Sequence, residues 1–308
     1  MMKKIKMYAG LLLLIAILSA CSTTGNKSYS FEEVKNSKIN HLHGMGYING
    51  GPEIVISTHD GLYEYGNGGW KEANSEKHDY MGFQAIREGF FSSGHPEPGS
   101  NYKNPLGLVK STDRGASFDQ LAFYGEIDFH YLAAGYDSNA IYVLNETPTK
   151  EMPTGLHYSA DEGSTWKESS MKEFNSEFIS NLAAHPTRKE MIAIGSKDGL
   201  FLSEDYGESF SLSNEAKMVT YVTLTEIGGL YANLENETVK LTSFEFGSDQ
   251  EIEIQLPKNQ QIEPIAFIAV NPDNKKEIVI ATHNNDIYLT KDEGLNWETL
   301  AESGELAK

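Results

Sequence analysis

Short apolar runs, split by turn residues, recur along most of this chain, and its last forty residues show the grammar most cleanly. Residues 265–270 are apolar and rich in β-branched side chains, and Asn271-Pro272-Asp273 then turns the chain. Further short runs follow at 278–282, 286–290 and 297–300. Each predicts a strand, because strands of this length are bounded by Gly, Pro, Asn and Asp. No helical period competes in the body of the chain; residues 171–175 offer at most one turn. One segment breaks the pattern. Lys3, Lys4 and Lys6 precede an unbroken apolar run at 11–18.

The strand runs are organised by a repeat, Ser-x-Asp-x-Gly-x-x-aromatic. It appears as Ser111-Thr-Asp113-Arg-Gly115-Ala-Ser-Phe118, at Ser159 to Trp166, at Ser203 to Phe210, and with threonine leading at Thr290 to Trp297. The closing aromatics lie 48, 44 and 87 residues apart, so a degenerate copy is expected between the third and fourth, near residues 244–249. A reduced first copy, Gly66-Asn-Gly-Gly69-Trp70, lies 48 residues before Phe118. Six units of about 44 residues, four strands each, predict an all-β fold: a β-propeller of six four-stranded antiparallel blades. Seven blades is the alternative, if residues 29–34 and the C-terminal tail build more than a closing strand. The repeat resembles the Asp-box of sialidase-like and sortilin-like propellers. Its aspartate accepts backbone N–H groups across the turn between the third and fourth strands, and its glycine permits positive φ.

The first twenty residues read as an export leader, too short for a permanent spanning helix. Leu18-Ser19-Ala20-Cys21 resembles the bacterial lipobox. That resemblance implies cleavage before Cys21, a diacylglycerol on its sulfur and attachment to the extracytoplasmic face of the cell membrane. The alternative is an ordinary secretory leader with an incidental cysteine. The organisation expected is therefore a signal peptide at 1–20, a lipidated polar tether at 21–29 and a propeller at 30–308.

A single cysteine excludes an internal disulfide and a four-cysteine zinc site. With 25 basic and 44 acidic residues the net charge is −19, which argues against a nucleic-acid partner. Removing the leader takes away three lysines and makes the mature chain more acidic still.

In a four-stranded meander, the link into each first strand and the turn from second to third strand share one face, over the channel mouth. Seven of the nine histidines map there: His41, His43, His59, His78, His95, His130 and His283. His78 reads as a linker residue, and His157 and His185 lie elsewhere. His41 and His43 are two apart, so on a strand they share a face. We expect His41, His43, His95 and His130 to converge as ligands of a transition metal, with His59 and His283 in reserve. Imidazoles suit zinc or copper, and Met45 and Met81 nearby favour copper(I). Asp128 and Glu97 are candidate oxygen ligands. The alternative is that these histidines bind loop backbones or line a wet channel.

Several segments together resemble one bacterial family of glycosylhydrolase-like propellers, the F510_1955 family. They are His41-Leu-His43-Gly44, Thr58-His59-Asp60-Gly61-Leu62, Met81-Gly82-Phe83, Ser93-Gly94-His95-Pro96, Asn104-Pro105-Leu106-Gly107-Leu108 and Asp128-Phe129-His130. The resemblance implies sugar chemistry. Sialidases clamp a carboxylate with three arginines, and Arg87, Arg114 and Arg188 all map to the opposite face, so sialic-acid hydrolysis is not expected. Another glycosidase needs two carboxylates at about 5–10 Å. Asp60, Asp79, Glu97 and Asp128 are available; Asp128, Glu97 and Asp60 are the weak catalytic candidates. Three classes remain: a surface protein binding a metal, glycan or other small ligand; a hydrolase acting on extracellular glycans; and an assembly scaffold like the photosystem-assembly propellers.

Overall fold

The computed structural model describes residues 28–35, 38–214, 218–257 and 262–307. The leader and Cys21 lie outside the described residues. Six antiparallel sheets follow one another along the chain, and no helix occurs among the described residues. Blade one is built from Leu42–Tyr47, Ile54–Thr58, Gly61–Gly66 and Gly69–Ala73. The next four blades span 79–122, 131–168, 179–214 and 219–254. Blade six comprises Ile265–Asn271, Asn274–Thr282, Ile287–Thr290 and Glu298–Glu302. These four strands match the expected runs to within a few residues, as strand ends commonly do.

The termini add a fifth strand to two blades rather than a seventh blade. Phe31–Glu33 pairs antiparallel with the outer strand of blade one, and Glu305–Leu306 pairs with the outer strand of blade six. The ring closes between these two blades. Ile39 N–H donates to Gly304 O at 2.9 Å, and Trp70 Nε1 donates to Leu300 O at 2.9 Å.

The core is divided into six apolar clusters, one in each seam between adjacent blades. Second strands are covered on both faces by neighbouring blades, so Ile54–Thr58 and Ile192–Ser196 are buried throughout, not alternately. The short outer strand Lys167–Glu168 is exposed at both positions.

All four complete Asp-boxes form the expected turn. Asp113 Oδ1 accepts from Ser117 N at 2.9 Å and from Ser111 Oγ at 3.0 Å. Asp161, Asp205 and Asp292 repeat both bonds at 2.8–2.9 Å. The degenerate copy occupies the equivalent turn of blade five, between Thr238–Glu245 and Glu251–Ile254.

Five of the six inner strands carry a β-bulge at the end nearest the channel mouth. The extra residue is His43, Ser180, Thr220 or Ala266 in blades one, four, five and six, and falls at Gly82-Phe83 in blade two. A bulge re-aims the side chain that it adds. His43, Gly82, Ser180, Thr220 and Ala266 all line one cavity of about 350 Å³ at the mouth.

Candidate metal centre at the channel mouth

Three side chains from blades one and two meet at the rim of this mouth. His43 comes from the inner-strand bulge. His59 projects from the turn between the second and third strands, which is braced by Thr58: its Oγ1 accepts from Asp60 N at 3.0 Å and donates to Gly61 O at 3.1 Å. Asp79 opens the inner strand of blade two. His43 Nε2 lies 3.2 Å from His59 Nδ1 and 3.2 Å from Asp79 Oδ1, and His59 Nδ1 lies 2.8 Å from Asp79 Oδ2. Each residue offers one ligand atom within 4.8 Å of the other two.

The side chain of His43 is 8% exposed, that of Asp79 18% and that of His59 52%, so the triad is buried on one side and open on the other. Burial opposes ionisation of Asp79, but the two imidazoles override it and hold the carboxyl below the ordinary aspartate range. Asp79 Oδ1 is buried and makes no well-directed hydrogen bond. His41 packs over the pair, its ring centroid 5.1 Å from that of His59 and 5.4 Å from that of His43. The two-residue spacing is not what brings His41 and His43 together. The strand begins at Leu42 and His43 is its bulged residue, so alternation does not apply there.

His95 and His130 gather around a different carboxylate. Their Nε2 atoms lie 3.3 Å and 3.6 Å from Asp128 Oδ2. His95 Nδ1 contacts Asn104 Oδ1 at 2.7 Å. Asp79 and His95 are cross-strand partners in blade two, which makes the two clusters neighbours. His41, His43, His130 and His283 line the mouth cavity, together with Met81; Met45 is buried in the core. Among the remaining candidates, Glu97 belongs to the linker: its carboxylate accepts from Lys77 N at 3.2 Å, and its own N–H donates to His78 Nδ1 at 2.8 Å. His78 is fully buried, edge-on to Tyr80, Tyr102 and Phe118. Asp60 is exposed in its turn.

The arginines are occupied elsewhere. Arg87 pairs with Asp137 and lies over the Tyr136 ring at 5.1 Å; Arg114 pairs with Glu64; Arg188 meets Glu204 at 3.2 Å. None lines the mouth cavity.

No protein-family profile matches the chain, and no curated protein sequence does. Solved structures do. A GH74 enzyme from Niastella koreensis is 15% identical with a TM-score of 0.58, over 89% of this chain and 47% of that one. YCF48 bound to D1 peptide is 14% identical with a TM-score of 0.50, over 89% and 85%. An oligogalacturonate lyase from Vibrio parahaemolyticus is 13% identical with a TM-score of 0.54, over 89% and 84%. What they share with this chain is the propeller fold. The chain spans about half the length of the GH74 enzyme.

Proposed function

We propose that this chain is a transition-metal-binding propeller of the F510_1955 kind, held at the extracytoplasmic face of the membrane by lipid on Cys21. Its metal ligands are His43 Nε2, His59 Nδ1 and a carboxylate oxygen of Asp79. The observation that carries the reading is a triangle of side-chain contacts: 3.2 Å between the two ring nitrogens, 3.2 Å from His43 Nε2 to Asp79 Oδ1 and 2.8 Å from His59 Nδ1 to Asp79 Oδ2. Donors arranged tetrahedrally at about 2.0–2.1 Å from zinc stand about 3.3 Å from one another. Hydrogen bonding alone accounts for the triangle poorly. Each imidazole N–H can be donated to Asp79, but the contact between the two ring nitrogens then sets donor against donor. A cation among them uses all three lone pairs.

Two histidines and a carboxylate suit zinc or copper(II) and leave a coordination position for a ligand from solution. Of the two thioethers, Met45 is buried in the core and Met81 lines the mouth cavity. His95 and His130 belong to the surroundings of the site through Asp128, and His41 packs over it.

Elemental analysis of untagged protein tests this. Wild type should carry about one equivalent of zinc or copper, and His43→Ala/His59→Ala should lose nearly all of it. Equal metal in both, or none in wild type, contradicts the reading.

The hydrolase reading draws on the GH74 and lyase neighbours, but fold does not select a reaction. Of its carboxylates, Glu97 is committed to the linker and Asp128 to two imidazoles. Glycoside turnover by wild type, lost in Asp128→Asn, would favour it.

A further inference from the structure

The cavity at the channel mouth differs in chemistry from four other cavities of the described structure. Each of those is lined by at least two aspartates or glutamates. The mouth cavity has no carboxylate, lysine or arginine in its wall, in a chain of 44 acidic residues. Its polar groups are four imidazoles, from His41, His43, His130 and His283, with amides and hydroxyls between them.

We infer that this cavity binds a small carboxylate anion. A cation would be met by acidic side chains, and a polyol gains from carboxylate acceptors for its hydroxyl protons. Only an anion makes a carboxylate in the wall a direct cost, through like-charge repulsion. Imidazole N–H groups are donors of the kind that an anionic oxygen needs. The net charge of −19 opposes approach from a distance, but salt screens it beyond about 8 Å. A volume of about 350 Å³ suits a compact di- or tricarboxylate. The inference rests on the wall of the cavity and does not require the metal. A cation at the neighbouring triad would add positive charge and strengthen it.

Calorimetric titration of succinate, and of its neutral isostere succinamide, into zinc-loaded and chelator-treated protein tests this. Succinate should bind one to one, and succinamide at least about tenfold more weakly. His283→Gln should weaken succinate by about tenfold with its thermal midpoint and zinc content unchanged. Equal affinity for the two compounds, equal affinity of variant and wild type, or no saturable binding in either preparation overturns the inference. Zinc content, measured on the same samples, separates the two claims. Zinc-loaded protein that keeps no zinc after desalting but still binds succinate removes the metal reading and leaves this one standing.

Discussion

At the level of single residues, the Asp-box glycine carries two constraints at once. Gly163 has φ +86°, and a Cβ there would lie 2.8 Å from Leu108 Cδ2 in the preceding blade. Gly115, Gly207 and Gly294 likewise abut Leu62, Leu156 and Ile254 of their preceding blades. The box therefore shapes a turn and seats one blade against the next. Gly68 has φ +78° but open space around it. Gly163→Ala should cost about 3 kcal/mol in urea unfolding, and Gly68→Ala about 1 kcal/mol. Equal losses would mean that the seam contact is unimportant. Two buried histidines set an acid limit on stability. Burial holds His78 below the ordinary imidazole range; burial, then Arg188, does the same at His185. In the unfolded chain both take a proton near pH 6.5. Below that pH the unfolded state binds more protons than the folded one, so stability is full above about pH 7 and falls as pH drops, by up to about 1.4 kcal/mol per unit per histidine. Unfolding measured in chelator between pH 7.5 and 5 should show this decline; a flat profile would contradict it.

Among the elements, the closing seam between blades six and one has the clearest single contact. Trp70 ends the reduced first repeat and donates across the seam to Leu300 O. Trp70→Phe keeps most of the apolar area but removes one of the two donors to Leu300 O, which retains Ala307 N–H, and should cost about 0.5–1.5 kcal/mol. An unchanged unfolding midpoint would place closure elsewhere, in Ile39 and the C-terminal strand. The strand order and the blade number were legible in the sequence, because both depend on local periodicity and turn chemistry. The bulges were not. His43, Ser180, Thr220 and Ala266 share no residue type, and a bulge leaves no mark on a short apolar run. The part played by Asp79 was missed in the same way. Its approach to His43 and His59 depends on how blade two seats against blade one, a long-range contact. The available signal was its place at the start of an inner strand on the histidine face.

For the molecule as a whole, chemistry and architecture are separated by face. Asp-boxes and the three arginines lie on one side, where they fix turns and form ion pairs. The histidine clusters and the carboxylate-free cavity lie on the other, at the ring's axis. A lipid on Cys21 would hold this ring at the membrane surface, and a leader-processed, acylated Cys21 found by mass spectrometry of membrane-extracted protein would establish the tether. The central claim is that His43, His59 and Asp79 bind one transition-metal ion. Anomalous diffraction at the zinc and copper edges, from crystals grown with equimolar metal, tests it most directly. One dominant peak is expected at about 2.0–2.2 Å from His43 Nε2, His59 Nδ1 and a carboxylate oxygen of Asp79. A mouth without such a peak, or a peak at His95 and His130 with the triad empty, would contradict it.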